Sequence, residues 1–430
     1  MCPYTTTNYQ IYITMRTLRF VFVWLVPCLL FACSSAPEIS NTNEQDVKTY
    51  QVNPDQAQPQ GVASEIFSHY TFVPLETPKG HLVGSIDEII PYKGNYYILD
   101  KQSKAIFAFD GQGKFVFKIV SEGRGPGEYT GINHIAIDTA QSKIVAMCLE
   151  KVICYNLTDG RFVKDATFKT GVPEAMLASE IFCHYQYNVQ RDGSLNNLKI
   201  ITKNKVLAEY FPINPDFKGY SLRGNRFFTG NPSRTVYVND YLSDTVYEVT
   251  PTRLIARTVV DFGAKQINAE GIRQLGQAQT ASFLAKAAYC SDIRDYFETP
   301  SILQFSYGYE GRMYTWLYSK KNQTAYHYKG TWFDDIVYGI IPERWVFAND
   351  SAFLTWKDAS QFLREQADSP EYYRAEIAKQ VAEKKDPALM ARYENQLKQY
   401  SQVYQKAGID ILKDEDNPVL IWMHFNEKFR

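Results

Sequence analysis

The sequence GSIDEIIPYKGNYYILDKQSKAIFAFDGQGKFVFKI, residues 84–119, contains four short apolar runs separated by turn-forming residues. The runs cover residues 86–90, 96–99, 105–109 and 115–119. Glycine, asparagine and aspartate between them supply the backbone freedom that tight turns need, so the runs are predicted to be strands of an antiparallel meander. Four strands of this length form one blade of a β-propeller.

The same plan recurs along the chain. A second unit is predicted with strands at 132–137, 144–147, 152–155 and 162–168. Counted from Ile98, equivalent second strands fall near residues 145, 200, 237, 314 and 353, mostly at the steps of about 40–50 residues that propeller repeats show. Six registers predict an all-β fold, a six-bladed β-propeller of four-stranded antiparallel blades over residues 65–430. The strands predicted at 70–75 and 419–425 are expected to share one blade, because a closed ring leaves no exposed edge.

Two segments do not have the pattern of blades and are predicted to be helical insertions, at about 264–297 and 357–408. In the second, Ser369 and Pro370 have the pattern of an N-cap followed by proline at the first helical position, and Asp386 and Pro387 repeat it. Gly408 is suited to end the second helix. An apolar stripe of Leu389, Tyr393, Leu397, Tyr400 and Tyr404 favours either a cap packed on the propeller or a surface that docks a partner.

The loop SEGRGPGEY, residues 121–129, lies between the two predicted units and resembles the glycine-rich crossing loop of NHL-type repeats. With YYILD, FAFDGQGKFVFKI and the near-terminal NPVLIWMHF, it is similar to the six-bladed β-propeller (NHL/TolB-like) lipoproteins of Bacteroides-type bacteria. The resemblance implies the fold and an extracytoplasmic location. It leaves open whether this loop carries the chain between blades or binds a ligand.

The N-terminal region has the pattern of an export signal. From Met15, a possible true start, two arginines precede the apolar run 20–31, which is too short to span a bilayer. The sequence LFAC at its end resembles a lipobox, so residues 1–33 are predicted to be a lipoprotein signal peptide with Cys33 lipidated; an ordinary cleaved signal or a signal anchor is the alternative. The polar segment 34–64 is predicted to be a flexible tether. The expected location is the cell envelope, lipid-anchored at the outer membrane, with its periplasmic or surface side open.

Three residues are candidate ligand contacts. Arg124 is able to form a bidentate contact with a carboxylate or phosphate, and Glu128 to accept hydrogen bonds from sugar hydroxyls or to pair with Arg124. Arg234, in the sequence GNPSR before another predicted second strand, is a weaker candidate of the same type. The alternative for all three is a solvated or mutually paired set of surface charges. Tyr129 is expected to pack between blades.

Composition and the spacing of reactive residues limit which partners, metals and reactions are expected. A net charge of -1 gives no reason to expect a nucleic-acid partner. The six histidines show no metal-binding spacing and no nucleophile motif is present, so no metal, cofactor or catalytic residue is predicted. Cys148 and Cys154 are expected on consecutive strands, either bridged or, as is more common for cysteine in cores, as buried free thiols.

These observations favour a lipid-anchored, extracytoplasmic propeller that works as a ligand-binding or protein-interaction module without catalysis. Its partners are then the membrane, through the lipid on Cys33, and a protein or glycan at the propeller face or the helical insertion. The alternative is a propeller enzyme, a lyase or hydrolase on glycans or peptides, with its site at the central channel. A third interpretation is a sensory or scaffold subunit whose helical pair docks a partner.

Overall fold

The structure is a computed structural model that describes residues 47–149, 151–189, 193–215, 226–268, 271, 273, 288–330, 332–338, 344–384 and 387–429. All of these lie in the unit Pro37–Arg430. The predicted signal peptide, with Cys33, therefore falls outside the described residues. Among the described residues, no helix is both long enough and apolar enough to cross a membrane.

Most described residues lie in strands of antiparallel sheets. Three strands precede the first sheet: β1 (Lys48–Gln51), β2 (Gly61–Val62) and β3 (Phe67–Pro74). Sheet 1 contains β4 (Glu88–Tyr92), β5 (Asn95–Asp100), β6 (Ala105–Asp110) and β7 (Phe115–Ile119). Sheet 2 contains β8 (Ile132–Asp138), β9 (Lys143–Cys148), β10 (Lys151–Asn156) and β11 (Phe162–Thr167). Sheet 3 contains β12 (Ala175–Ala178), β13 (Ile181–Tyr185), β14 (Asn196–Ile201) and β15 (Val206–Pro212).

The second half of the chain continues this order. Sheet 4 contains β16 (Phe227–Phe228), β17 (Val236–Asn239), β18 (Thr245–Val249) and β19 (Leu254–Asp261), with β1 as a fifth strand. Sheet 5 contains β20 (Ser291–Glu298), β21 (Ile302–Tyr309), β22 (Arg312–Ser319) and β23 (Thr324–Lys329). After β24 (Trp332–Phe333), sheet 6 contains β25 (Phe347–Ala348), β26 (Ala352–Lys357) and β27 (Val419–Phe425), with β3 as its fourth strand.

The eight strands predicted in the first two units are confirmed, with small shifts of their ends. The second-strand positions predicted later in the chain are confirmed only in part. The positions near 237 and 353 lie on β17 and β26, which are second strands, but those near 200 and 314 lie on β14 and β22, which are third strands. Apolar alternation identifies a strand without fixing its rank within a sheet, and these predictions were therefore wrong by one strand.

Each sheet packs against the next through a separate apolar core. The cores join sheets 1 and 2, 2 and 3, 3 and 4, 4 and 5, and 5 and 6. A sixth core, with Ile89 and Phe107 of sheet 1 and Leu354 and Leu420 of sheet 6, joins the last sheet to the first. The order of sheets is therefore cyclic, which is compatible with a propeller.

An early strand and the last strand of the described chain pair in sheet 6. Strand β3 pairs antiparallel with β27, from Val419 opposite Pro74 to Phe425 opposite Phe67. The predicted pairing of 70–75 with 419–425 is thus confirmed, and Pro74 stands at the end of the strand, where a missing N–H is tolerated.

The predicted tether 34–64 was wrong from Lys48 onward. Strand β1 adds in parallel to β19, and β2 pairs with β24. Val52 and Ala63 are buried, and the ring of Tyr50 lies 5.1 Å from that of Trp316. The polar composition hid this structure because an added edge strand is held largely by backbone hydrogen bonds, which do not depend on apolar side chains.

The insertion in sheet 6 is a pair of helices, α1 (Ala359–Lys384) and α2 (Ala388–Lys406), confirming the prediction at about 357–408. Pro370 lies inside α1 and does not begin it, so the predicted N-cap at Ser369 was wrong. The earlier turns form because Phe362 is fully buried against Phe72. Gly408 follows the end of α2 in the left-handed conformation, as predicted.

The stripe of α2 packs against the body of the protein. Tyr393 is fully buried with Phe333, Tyr338 and Tyr373, and Leu389 and Leu397 pack at the margin of this cluster. The contacts fit a cap on the sheets. Half of the other predicted helical insertion, 264–297, lies outside the described residues, and its last part was wrong, because Ser291–Glu298 is strand β20.

Asn417 connects the start of β27 to the segment after β3. Its side-chain Oδ1 accepts from the Val83 N–H at 2.7 Å, and its Nδ2 donates to the carbonyl oxygens of Glu76 and His81 at 2.7 and 3.1 Å. The residue is fully buried. These three backbone groups therefore depend on one amide side chain for their hydrogen bonds.

We expect Asn417→Ala to lower the free energy of unfolding by about 2–4 kcal/mol, because it leaves buried backbone groups without partners. Urea unfolding followed by circular dichroism measures the change. The control is Asn204→Ala, at an exposed turn, which should change stability by less than about 0.5 kcal/mol. Equal effects of the two substitutions would contradict the assigned role of Asn417.

Candidate functional site

A cavity of about 580 Å³ lies among the first strands of the six sheets. Each sheet contributes to its wall, in order through Ile89, Ile135, Ala175, Phe227, Tyr296 and Phe347. Because every sheet contributes its first strand, the cavity occupies the centre of the cyclic arrangement. Clefts where several elements converge are the usual location of ligand sites.

The first strands of sheets 1 to 3 run in one direction around the cavity. The start of β4 meets the start of β8, where Glu88 Oε1 lies 2.5 Å from His134 Nδ1. At the other end, Ser179, which follows β12, donates to Asp138 at the end of β8 at 2.5 Å. Different polar pairs therefore join the strand starts and the strand ends of these sheets, and the pair at the strand starts, Glu88 and His134, lines the cavity.

Glu88 and His134 form a partly buried ion pair at the strand starts. Burial raises the pKa of Glu88, but His134 and the N–H of Ile135, 2.9 Å from Oε2, outweigh it and hold the pKa below the ordinary value of 4.5. Burial lowers the pKa of His134, but the Glu88 carboxylate outweighs it and the pKa lies above 6.5. Both members of the pair are therefore charged at pH values between the pKa of Glu88 and the pKa of His134.

Two further carboxylates on this half of the cavity bind neighbouring groups of the protein. Glu174 accepts from the Tyr185 N–H at 2.8 Å and from the Tyr187 hydroxyl at 2.5 Å. Asp87 accepts from the Lys101 N–H at 2.8 Å and from the hydroxyl of Ser85 at 2.9 Å. These carboxylates brace the strand starts of sheets 1 and 3.

Three arginines line the cavity from the other half, and we call Arg226, Arg294 and Arg344 the arginine wall. Asp292 pairs with two of them: Arg226 Nη2 lies 2.9 Å from Oδ1, and Arg294 Nε lies 2.5 Å from Oδ2. Arg344 Nε lies 3.5 Å from Asp295 Oδ1. Burial raises the pKa of Asp295, and Arg344 opposes that rise.

Arg226 is the most buried member of the wall, with 2% of its surface exposed. Its guanidinium lies 5.3 Å from the ring of Tyr241. Nε and Nη1 have no hydrogen-bond acceptor among the residues that the structure describes. Since an arginine carries five N–H donors and buried donors are normally paired, this side chain has unused binding capacity.

Arg234, a candidate from the sequence, lies at the opposite end of the cavity. It follows β16 in sheet 4, yet its guanidinium stacks 4.2 Å from the ring of Tyr92, the last residue of β4 in sheet 1. Sheets 1 and 4 do not share a core, so this contact crosses the cavity. Burial lowers the pKa of Arg234, whose backbone is held at a positive φ of 56°.

Arg124 and Glu128, the other two candidates, do not line the cavity. Glu128 Oε2 accepts from the Gly125 N–H of its own loop at 2.8 Å, and Arg124 is exposed. The loop is held against sheet 2 by Lys151, which donates to the Gly125 carbonyl at 2.8 Å. Gly127 has a φ of 73°, and a Cβ there would lie 2.7 Å from the Phe162 ring. These contacts favour the interpretation as a chain crossing, and Tyr129 is buried in the core between sheets 1 and 2 as predicted.

The four cysteines of the described chain are buried free thiols, and the bridge between Cys148 and Cys154 is absent. These two side chains belong to cores on different sides of sheet 2. Burial raises the pKa of Cys148 to about 12, so it is an inert core thiol. Within the described ranges, no group of three histidine, cysteine, aspartate or glutamate side chains is placed to hold a metal. The absence of a cofactor or catalytic residue stays a prediction.

Sequence reasoning missed the arginine wall, Glu88 and His134. Their only local signal is position, because each lies at or just before the first strand of a sheet. That signal has meaning only once the order of strands within each sheet is known. In sheets 3 and 5 the predicted order was wrong.

Comparisons with known proteins agree with the fold. A family model described as "Domain of unknown function (DUF4934)" matches residues 49–424. The crystal structure of a "Putative exported protein" from Bacteroides fragilis has a TM-score of 0.61 at 18% identity, over 89% of this chain and 100% of that chain. A member of the duf4221 family from Bacteroides vulgatus, at 9% identity and a TM-score of 0.44, covers 68% of this chain and 92% of its own. None of the curated proteins compared with the chain matches it.

The Glu88–His134 pair predicts a stability that depends on pH. The raised pKa of His134 stabilises the fold fully below pH 6.5 and ceases to do so as the pH rises through its folded value. The lowered pKa of Glu88 stabilises above pH 4.5 and is lost as the pH falls through its folded value. The pair therefore contributes most between pH 4.5 and 6.5.

We expect His134→Gln to lower the melting temperature more at about pH 5.5 than at about pH 8.5. Differential scanning calorimetry at both pH values measures this difference. Glu88→Gln supplies the control background, in which the effect of His134→Gln should depend much less on pH. A pH dependence that is the same in both backgrounds would show that the histidine does not act through Glu88.

Proposed function

We propose that this chain, which belongs to the DUF4934 family, is a lipid-anchored, extracytoplasmic six-bladed β-propeller that binds a small ligand in its central cavity. The observation that carries the proposal is the cavity itself. Its wall contains side chains from all six sheets, and several of them are charged and held in place by hydrogen bonds. Such a wall is built to fix a ligand's orientation.

The geometry of the wall supports binding by a preformed site. Glu88 and Glu174 are each held by at least two hydrogen bonds or ion pairs, and Asp292, outside the cavity, holds Arg226 and Arg294. Side chains that are already ordered lose little conformational entropy when a ligand binds, so their contacts translate more fully into affinity.

The proposed location rests on the N-terminal sequence and on the name of one relative. Residues 15–33 combine two arginines, a short apolar run and the sequence LFAC ending in Cys33. The structural relative from Bacteroides fragilis is itself described as an exported protein. Together they favour an anchored protein whose cavity samples the solution outside the cytoplasm.

The lipid anchor predicts that the wild-type chain incorporates radiolabelled palmitate in a bacterial host that processes lipoproteins, and that Cys33→Ala does not. The thiol of Cys33 is the atom that would carry the lipid, so its removal should abolish the label. Cys28→Ala, five residues earlier in the same apolar run, is the matched control and should keep the label. Equal labelling of wild type and Cys33→Ala would remove the anchor from the proposal.

The cavity predicts that filling it abolishes binding. Thr229 lines the cavity and is exposed, so Thr229→Trp places an indole there without disturbing a packed core. In thermal-shift assays with D-glucose, D-glucuronate, inorganic phosphate and trialanine, at least one compound should raise the melting temperature of the wild type and not of Thr229→Trp.

Thr130→Trp is the matched control, since Thr130 is also exposed but lies in the loop against sheet 2, outside the cavity. It should respond like the wild type. Stabilisation that survives in Thr229→Trp would place binding elsewhere, and no stabilisation by any of the four compounds would count against the proposed function.

A further inference from the structure

The charges in the cavity are unevenly distributed. Asp87, Glu88 and Glu174 belong to sheets 1 and 3, whereas the arginine wall belongs to sheets 4, 5 and 6. Lys101 and His134 line the cavity beside the first group and Asp295 beside the second, so each group is accompanied by charges of the other sign. A ligand in the cavity therefore meets the guanidinium groups of the arginine wall only from sheets 4, 5 and 6.

The carboxylates of the first group already accept hydrogen bonds from other groups of the protein. Glu88 is paired with His134 and the Ile135 N–H, and Glu174 accepts from the backbone N–H of Tyr185 and the hydroxyl of Tyr187. These hydrogen bonds already use several of the acceptor positions of the carboxylates, which leaves fewer for a ligand. This side is therefore the less suited to carry the main contact with a ligand.

On the arginine side, fewer of the polar atoms have hydrogen-bond partners within the protein. Asp292 pairs with both Arg226 and Arg294, and Asp240 and Asp295 place further negative charge near these two arginines, so what is lacking is hydrogen-bond acceptors rather than charge. Arg226 keeps two nitrogens without an acceptor among the described residues although it is almost fully buried. An unpaired buried donor destabilises the folded state, and a bound acceptor removes that destabilisation.

From this arrangement we infer that the arginine wall binds an oxyanion, a carboxylate or phosphate group carried by a small ligand, with Arg226 as the central contact and Arg294 beside it. The inference rests on the proposed function and adds the chemical class of the ligand. Guanidinium groups bind such anions through several parallel N–H donors, which a single ammonium cannot reproduce. The low dielectric of a partly closed cavity strengthens these contacts.

Isothermal titration of the purified full-length chain with inorganic phosphate and with D-glucuronate, at low salt, tests the inference. The wild type should bind at least one of them; phosphate alone identifies a phosphate-bearing ligand, and glucuronate alone a carboxylate-bearing one. Arg226→Lys keeps the charge but loses the guanidinium, and should weaken binding by about tenfold. Arg124→Lys, at an exposed arginine outside the cavity, is the matched control and should bind like the wild type.

A second variant keeps the test valid if Arg226→Lys fails to fold. Asp292 has a φ of 60°, a conformation that asparagine tolerates well. Asp292→Asn keeps a side-chain oxygen as acceptor for Arg226 and removes the competing negative charge, so it should strengthen anion binding on the order of threefold. Weaker or unchanged binding in Asp292→Asn would contradict the inference.

The inference is overturned if neither anion binds, or if Arg226→Lys folds and binds within about twofold of the wild type. Its failure can be distinguished from failure of the proposed function. If D-glucose or trialanine binds, Thr229→Trp abolishes that binding and Arg226→Lys does not, the cavity is a binding site and its ligand is not recognised through an oxyanion.

Discussion

The pairing of β3 with β27 is the interaction on which the rest of the structure depends. It joins Phe67–Pro74 to Val419–Phe425, two segments separated by almost the whole described chain. Without it, sheet 6 would expose the edge of β27, and the core between sheets 6 and 1 would lose Val73. Because such a long-range contact gains its energy only after the intervening chain is ordered, closure depends on all six sheets and stabilises them in return.

The same closure creates the cavity. Polar and charged residues at the starts of first strands lie far apart in sequence, and they face one another only because the sheets follow each other cyclically. The contact between Arg234 and Tyr92 depends on the same geometry, since it joins sheets 4 and 1 across the centre. The structural and functional roles of the first strands are therefore linked: their apolar residues belong both to the cores between sheets and to the cavity wall, and polar residues at or near their starts complete that wall.

Local patterns in the sequence predicted those strands and turns that short-range interactions determine. The strands of sheets 1 and 2 were predicted almost to their ends because glycine and aspartate turns separate short apolar runs. The pairing of β3 with β27 was also predictable, since proline residues bound both strands and ring closure requires a partner for each edge. Strand β1 was not, because its pairing with β19 depends on backbone groups of an edge that the sequence does not reveal. The helix start predicted at Pro370 was wrong for a related reason: burial of Phe362 outweighs the local preference of proline for the first turn of a helix.

The candidate site was predictable only in its least central part. Arg234 was identified from a short polar sequence before a strand, whereas Arg226, Arg294 and Arg344 have no local signature. What distinguishes Arg226 is energetic. Folding normally pairs every buried donor, and a chain that leaves two guanidinium nitrogens without acceptors among its described residues gives up stability there. Among the described residues that line the cavity, Arg226 is the one charged side chain with buried nitrogens that lack an acceptor, so a bound acceptor would recover stability there. The least satisfied buried side chain in the central cavity is therefore its most informative residue about function.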